Sequence, residues 1–237
     1  MPLSPRETFH LHRVLRLKAG DTCRIFSRSG WGAEAVIEIL TEKEGGQLRI
    51  RKTFPLAREE KSVYLKVAQA LPQKRKMDDL VEKAEELGIQ ELWVLETQRS
   101  VVKMRGEGAE RAKKRWERIV VEAAKQSGTP FLTQIEGPVS FEKVIEEKLE
   151  GGDRAFLFHP DPKGISFSKV VEELKSSKKE KTPTSAFLFL GPEGGFTPEE
   201  VRWAESRGVR KVSLGPSTLR VETAFLGIVS ALRFLAS

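Results

Sequence analysis

The run Leu190-Gly191-Pro192-Glu193-Gly194-Gly195-Phe196-Thr197-Pro198-Glu199-Glu200 constrains the fold of this chain more than any other stretch. Apolar residues at 186–190 precede it, and a short continuous apolar run of this kind reads as a buried strand. A helix start follows, with Thr197 as N-cap, Pro198 at the first helical position and Glu200 three residues past the cap. Strand, three-glycine loop and capped helix together put bare backbone at the carboxyl end of a sheet, where open α/β sheets bind ligands. Glycine there leaves main-chain N–H and C=O groups open to close approach. An ordinary strand-to-helix turn explains a lone Gly-Gly; three glycines around a Pro-Glu pair favour a ligand loop.

The loop is neither common nucleotide fingerprint. A P-loop requires Lys and Ser or Thr after its last glycine, and Phe196 and Thr197 stand there instead. A dinucleotide-binding G-x-G-x-x-G opens the first βα unit, whereas this loop lies near the end of the chain. A second glycine-bearing turn follows at 212–224, again in the order strand, loop, helix. Two such strand ends can build one pocket.

The 237 residues suffice for two modest domains or one large one, and 39% hydrophobic residues support a core. No apolar run reaches the roughly 20 residues of a membrane span, and the N-terminus has no apolar signal core, so a cytoplasmic protein without a membrane partner is expected. One cysteine, Cys23, allows no internal disulfide, and His10, His12 and His159 are too scattered for a zinc site, so no metal is expected. The net charge of +7 suits a nucleic-acid partner through release of phosphate counterions; solubility alone explains it equally well.

Two parts differ in pattern. Up to about residue 68 the chain offers short β-type runs separated by turns: Val14-Leu15-Arg16-Leu17, Thr22-Cys23-Arg24-Ile25-Phe26, residues 33–40, and Gln47-Leu48-Arg49-Ile50-Arg51. Strands at this spacing predict a small barrel. Arg13, Arg16, Arg24, Arg28, Arg49, Arg51 and Arg58 punctuate it, as a solvated face or as a nucleic-acid face. From Val63 strands and helices alternate, the mark of a parallel sheet. Strands are expected at 63–68, 91–95, 154–158 and 186–190, and helices on the apolar spacings Met77 to Leu87, Ala112 to Ala124, Phe141 to Leu149, Phe167 to Leu174 and Val221 to Leu235. A basic loop, Lys74-Arg75-Lys76, precedes the first of these helices, and 176–181 reads as a polar surface loop.

Gly191-Pro192-Glu193-Gly194-Gly195-Phe196, then Leu214-Gly215 and Leu219-Arg220-Val221-Glu222-Thr223-Ala224, resembles the RsmE family, bacterial enzymes that methylate uridine N3 of small-subunit ribosomal RNA. His12-Arg13-Val14-Leu15-Arg16, Lys83-Ala84-Glu85-Glu86-Leu87-Gly88, Arg99-Ser100 and residues 122–128 agree along the whole chain. Two positions depart: Thr129 stands where an arginine is usual, and Ser217-Thr218 where an arginine and a branched residue are.

The resemblance implies an α/β protein with an N-terminal PUA-like β-barrel at 1–70 and a C-terminal SPOUT methyltransferase domain at 71–237, the latter a parallel sheet with a trefoil knot. It implies S-adenosyl-L-methionine as cofactor, 16S ribosomal RNA as substrate, the small ribosomal subunit as setting, and a homodimer. Carried onto this chain, cofactor binding falls to Phe158, His159, Leu190, Gly191, Pro192, Glu193, Gly194, Leu214, Gly215, Ser217 and Leu219. RNA contacts fall to Arg13, Arg16, Arg24, Lys74, Arg75 and Arg99. A non-catalytic RNA-binding or ribosome-assembly protein on the same fold is the competing reading.

Methyl transfer from a sulfonium needs alignment rather than covalent help. Uracil N3 carries a proton at neutral pH, so a base, or a cation stabilising the uracil anion, is required. Arg220, entering the last helix, is the candidate cation, with Glu222 to fix its guanidinium; a local salt bridge between the two is the structural alternative. Glu193 reads as an anchor of the turn, and His159 as structural or pocket-lining. Cys23, the sole thiol, lies in the other domain, which argues against the thiolate adduct that methylation at carbon 5 requires.

Overall fold

A serine three residues before a glutamate opens the chain's first element. In the computed structural model, which describes residues 1–27, 31–41, 45–56, 63–73, 76–149, 153–176 and 184–235, Ser4 caps helix α1 (Pro5–Phe9). The Ser4 hydroxyl accepts from the Glu7 N–H while the Glu7 carboxylate accepts from the Ser4 N–H. The chain continues as a π-helix, His10–Val14, and Arg16 then adopts φ +55°. The β-type run expected at 14–17 is therefore not a strand. Continuing the capped helix turns Leu11 and Leu17 toward the core of the first sheet and leaves Val14 and Leu15 exposed.

That sheet is an antiparallel meander of β1 (Thr22–Ser27), β2 (Trp31–Thr41) and β3 (Gly45–Pro55). Ala35, Ile37 and Leu48 form its buried face, with Cys23 and Ile25 packed against them. Arg24, Glu34 and Lys52 stand in register across the opposite face.

Two compact units divide the chain, Met1–Arg58 and Glu59–Ser237. The boundary expected at residue 70 moves back accordingly. Strand β4 (Val63–Ala70) pairs with both β5 (Glu91–Glu96) and β9 (Thr184–Leu190), so it lies inside the second sheet. Its near-continuous burial is that of a parallel strand covered on both faces. Arg28, Arg58, Lys74, Arg75 and 177–181, all singled out above, lie outside the described residues.

The second unit is a seven-stranded, wholly parallel sheet in the order β6-β5-β4-β9-β7-β10-β8. The remaining strands are β6 (Gln134–Ser140), β7 (Asp153–Phe158), β8 (Ile165–Ser166) and β10 (Arg210–Ser213). Helices cover both faces. On one side α2 (Lys76–Glu86), α3 (Glu107–Ser127), α5 (Phe167–Ser176) and α7 (Val221–Leu235) bury Leu80, Trp116, Leu174 and Phe225 against Val67, Val94 and Leu188. On the other, α4 (Phe141–Lys148) and α6 (Pro198–Ser206) pack Phe141, Val144 and Val201 against Ala68, Phe187 and Phe189. Alternate residues of one strand thus serve opposite cores, which is why the sequence at 186–190 is apolar without a break.

Helix α6 starts where its sequence demands. The Thr197 hydroxyl accepts from the Glu200 N–H, and the buried Glu200 carboxylate accepts from the Thr197 N–H at 2.7 Å and from the Gln98 N–H at 2.8 Å. Edge strand β6 has no counterpart in the sequence reading. Gly137 and Pro138 interrupt its pattern, and proline is tolerated at a sheet edge, where the ladder is satisfied on one side only.

Candidate active site

Strands β9, β7 and β10 are neighbours, and their carboxyl ends feed the loops that begin at Gly191, His159 and Leu214. The order of strands reverses between β4 and β9, the switch point at which open parallel sheets leave a crevice. A cavity of about 470 Å³ opens over the ends of β9, β7 and β10, within the size range of small-molecule sites. All the residues expected to bind cofactor line it: Phe158, His159, Leu190, Gly191, Pro192, Glu193, Gly194, Leu214, Gly215, Ser217 and Leu219. The structure adds Pro160, Gly195, Phe196, Pro198, Thr218, Val221, Ala224 and Arg99.

The protein itself holds the glycine loop. A Cβ on Gly191 would stand 3.1 Å from the Cα of Gly195, so a side chain there would push back the turn that the loop makes onto itself. Gln69, buried at the end of β4, donates its Nε2 to the carbonyl of Gly191 at 3.2 Å. Arg99 donates Nη1 to the carbonyls of Gly194 (2.9 Å) and Phe196 (3.4 Å). The Glu193 carboxylate accepts from the Gln73 N–H and from Lys76 Nζ at 3.2 Å, the anchoring role read for it above. Carbonyls are thereby claimed, while the N–H groups of Glu193 and Gly194 have no acceptor among the described residues.

Arg99 was expected to meet RNA. Its Nη1 is committed to the glycine loop, and the side chain forms part of the cavity wall. Arg13, Arg16 and Arg24 are exposed on the first unit, and Arg24 lies 3.5 Å from Glu34. Thr129 shares a hydroxyl contact of 3.0 Å with Ser127, and Ser217 and Thr218 line the cavity as short polar side chains.

Arg220 and Glu222 do not form the expected pair. Glu222 Oε1 accepts from Lys76 Nζ at 2.9 Å, and Arg220 is exposed with no ion pair or side-chain hydrogen bond among the described residues. Neither lines the cavity, although their neighbours Leu219 and Val221 do. The geometry explains the exchange of partner. Helix α7 begins at Val221, the Arg220 carbonyl accepts the Ala224 N–H, and Glu222 in the first turn turns to α2. Its own main-chain N–H, then the Lys76 ammonium, hold the Glu222 carboxyl below its ordinary pKa. Glu222 and Glu193 in turn raise the pKa of Lys76. Sequence reasoning placed Lys76 in a basic loop and missed it as a bridge; no spacing rule reaches from residue 76 to 193 and 222. Gln69 did leave a signal, as an uncharged polar residue in a strand otherwise built for burial.

His159 accepts the Asp161 N–H at Nδ1 (3.1 Å), so in the neutral ring the proton sits on Nε2. Burial lowers its pKa, and the positive charges of Lys211 and Arg99 push the same way against Asp161 and Glu205. The neutral ring is a wall and a donor, with its acceptor nitrogen occupied. Among the described residues no cluster of three or more His, Cys, Asp or Glu side chains is arranged to hold a metal, and no helix is long and apolar enough to cross a membrane. Cys23 is half-buried in the first unit, and burial raises its thiol pKa.

The RNA methyltransferase domain family model matches residues 59–233, nearly the whole second unit. Ribosomal RNA small subunit methyltransferase E of Bacillus subtilis is 28% identical over 98% of this chain and 89% of its own length. Among solved structures, a Legionella pneumophila protein described as a methyltransferase in complex with SAM superimposes with a TM-score of 0.83 at 28% identity, covering 98% of this chain and 90% of that one. The small subunit methyltransferase E of Neisseria gonorrhoeae, at 23% identity and a TM-score of 0.81 over 99% of this chain and 91% of its own, shares the fold. With a parallel α/β unit and a cavity built by the signature residues, the chain belongs to the RNA methyltransferase family and is similar to the ribosomal RNA small subunit methyltransferases E.

Proposed function

We propose that this protein transfers a methyl group from S-adenosylmethionine to N3 of a uridine in small-subunit (16S) ribosomal RNA. The observation that carries the reading is the single cavity at three adjacent strand ends, lined by two glycine turns whose backbone is open to a ligand. Its volume and its unclaimed N–H donors fit a nucleoside-sized group bound largely through main chain. S-adenosylmethionine supplies, when bound, an electrophilic methyl on a sulfonium. The loops starting at His159, Gly191 and Leu214 are the ones proposed to form the trefoil knot around it.

The residues favour charge stabilisation over a resident base. Glu193 is held by Gln73 and Lys76, Glu222 by Lys76, and the acceptor nitrogen of His159 by Asp161. Arg220, next to the lining residues Leu219 and Val221, makes no ion pair or side-chain hydrogen bond among the described residues, whereas Arg99 is tied to loop carbonyls. It is proposed to hold the developing uracil anion through a carbonyl oxygen while the N3 proton leaves to water. The exposed arginines of the first unit, proposed as a PUA-like barrel, support its role as the RNA platform. Leu226, Phe234 and Leu235, exposed along α7, support a homodimer, and a ribosomal substrate implies the cytoplasm.

The test is transfer of tritium from methyl-labelled S-adenosylmethionine to small-subunit RNA, free and in assembled subunits. Label in the RNA supports the enzyme. Cofactor-free binding of RNA without label supports the assembly-protein reading.

A further inference from the structure

Lys76 is not among the residues that line the cavity, yet its ammonium meets one lining side chain, Glu193, and Glu222, which stands beside the lining residue Val221. Nζ lies 3.2 Å from Glu193 Oε1 in the glycine loop and 2.9 Å from Glu222 Oε1 in the first turn of α7. All three side chains are about one-third exposed, at 28%, 30% and 34%. Glu193 has a second tie in the Gln73 N–H, so it is gripped by the main chain of Gln73 and by the side chain of the first residue of α2. Apart from its own main-chain N–H, Glu222 has no second hydrogen bond or ion pair among the described residues: its Oε2 is buried and without a hydrogen-bond partner. Lys76 is therefore the only described side chain that holds the α7 start through this carboxylate.

We propose that Lys76 is a positioning residue that couples the glycine loop to the α7 start, and so sets the gap into which the cofactor fits and the place of Arg220. The reasoning rests on the cofactor reading above. Two walls joined by one flexible cation move together when it is present and separately when it is absent. A ligand that must contact both walls then has to order them itself, and its affinity drops by that cost. Part-exposed ion pairs are each worth a factor of about five or less, so losing two weakens binding by about five- to twentyfold rather than abolishing it. Lys76→Arg keeps two donors for two carboxylates and restores most of the loss.

The experiment uses the full chain and its Lys76→Met, Lys76→Arg and Glu222→Gln variants, with two readouts. In amide hydrogen exchange without ligand, Lys76→Met is expected to speed exchange at 191–196 and at 221–225 together, while Glu222→Gln speeds it at 221–225 alone. In calorimetry with S-adenosylmethionine, Lys76→Met is expected to bind about five- to twentyfold more weakly and Lys76→Arg within about threefold of the parent. Apo melting temperatures are expected to stay nearly constant, as a local tether requires. Unchanged exchange at either wall in Lys76→Met overturns the proposal, as does unchanged affinity. Should the parent itself fail to bind S-adenosylmethionine, the cofactor reading falls, and the exchange data still decide whether Lys76 couples the walls.

Discussion

Gly215 is the position where a single carbon tests the cavity most sharply. Its φ is +106°, and a Cβ built there meets nothing within 4 Å. Space is available; the conformation is not. A residue with a side chain held at this dihedral costs about 1–3 kcal/mol. If the loop keeps its shape in Gly215→Ala, the cost falls on stability, and about 2 kcal/mol lowers the melting temperature of a chain this size by about 4–8 °C. If the loop relaxes, the wall at Leu214 and Ser217 shifts, and the same 2 kcal/mol appears as roughly thirtyfold weaker S-adenosylmethionine binding. Gly194→Ala is the control. Gly194 has no positive φ, its Cβ would sit 3.4–3.5 Å from Arg99 carbons, and that is ordinary contact. It is expected to bind within about threefold of the parent. Calorimetry and melting curves on both variants give the answer. Gly215→Ala with unchanged affinity and unchanged melting would refute the reasoning, because strain of that size cannot vanish from both readouts.

Arg220→Ala is expected to slow methyl transfer by about a hundred- to a thousandfold in single-turnover assays, with partial rescue at high pH where uracil ionises unaided. Because Arg220 makes no ion pair with Glu222, its loss is expected to leave the melting temperature unchanged. Burial holds His159 neutral with its pKa below the ordinary 6.5, so its contribution is complete above that value and is lost as pH falls below it. Protonation would put a proton on Nδ1 against the Asp161 N–H, so cofactor affinity is expected to weaken toward pH 5 in the parent and less in His159→Asn, whose oxygen keeps the acceptor; titration calorimetry across pH checks this. Arg13→Ala and Arg24→Ala are each expected to reduce the slope of log RNA affinity against log salt by about 0.7 to 0.9, and unchanged slopes would remove the first unit as the RNA platform.

Local chemistry was legible wherever one segment decides its own conformation. The Thr197-Pro198-Glu200 start of α6 and the burial of residues 186–190 follow from capping and from a strand sandwiched between two helix layers. The cavity lining was legible because glycine turns after consecutive strands must open on the same sheet edge. The N-terminal helix was missed although Ser4 and Glu7 spell a capping box, since the apolar residues after it read equally well as a strand. The unit boundary was placed late because a strand buried on both faces resembles any short apolar run until its partners are known. The partners of Glu222, Glu193 and Arg99 lie across many residues of sequence, and only the fold brings Lys76 and the glycine loop to them. A salt bridge guessed between near neighbours, Arg220 and Glu222, lost to a partner on another helix.

The central claim is that this cavity holds a methyl donor and delivers its methyl to small-subunit RNA. Nucleoside mass spectrometry of 16S ribosomal RNA, treated with the protein and deuterated-methyl S-adenosylmethionine, tests it most directly. The account predicts a deuterated methyl on uridine N3, present with the parent protein and sharply reduced with Arg220→Ala at short reaction times. RNA without any deuterated nucleoside, under conditions where the protein binds both cofactor and RNA, would contradict it.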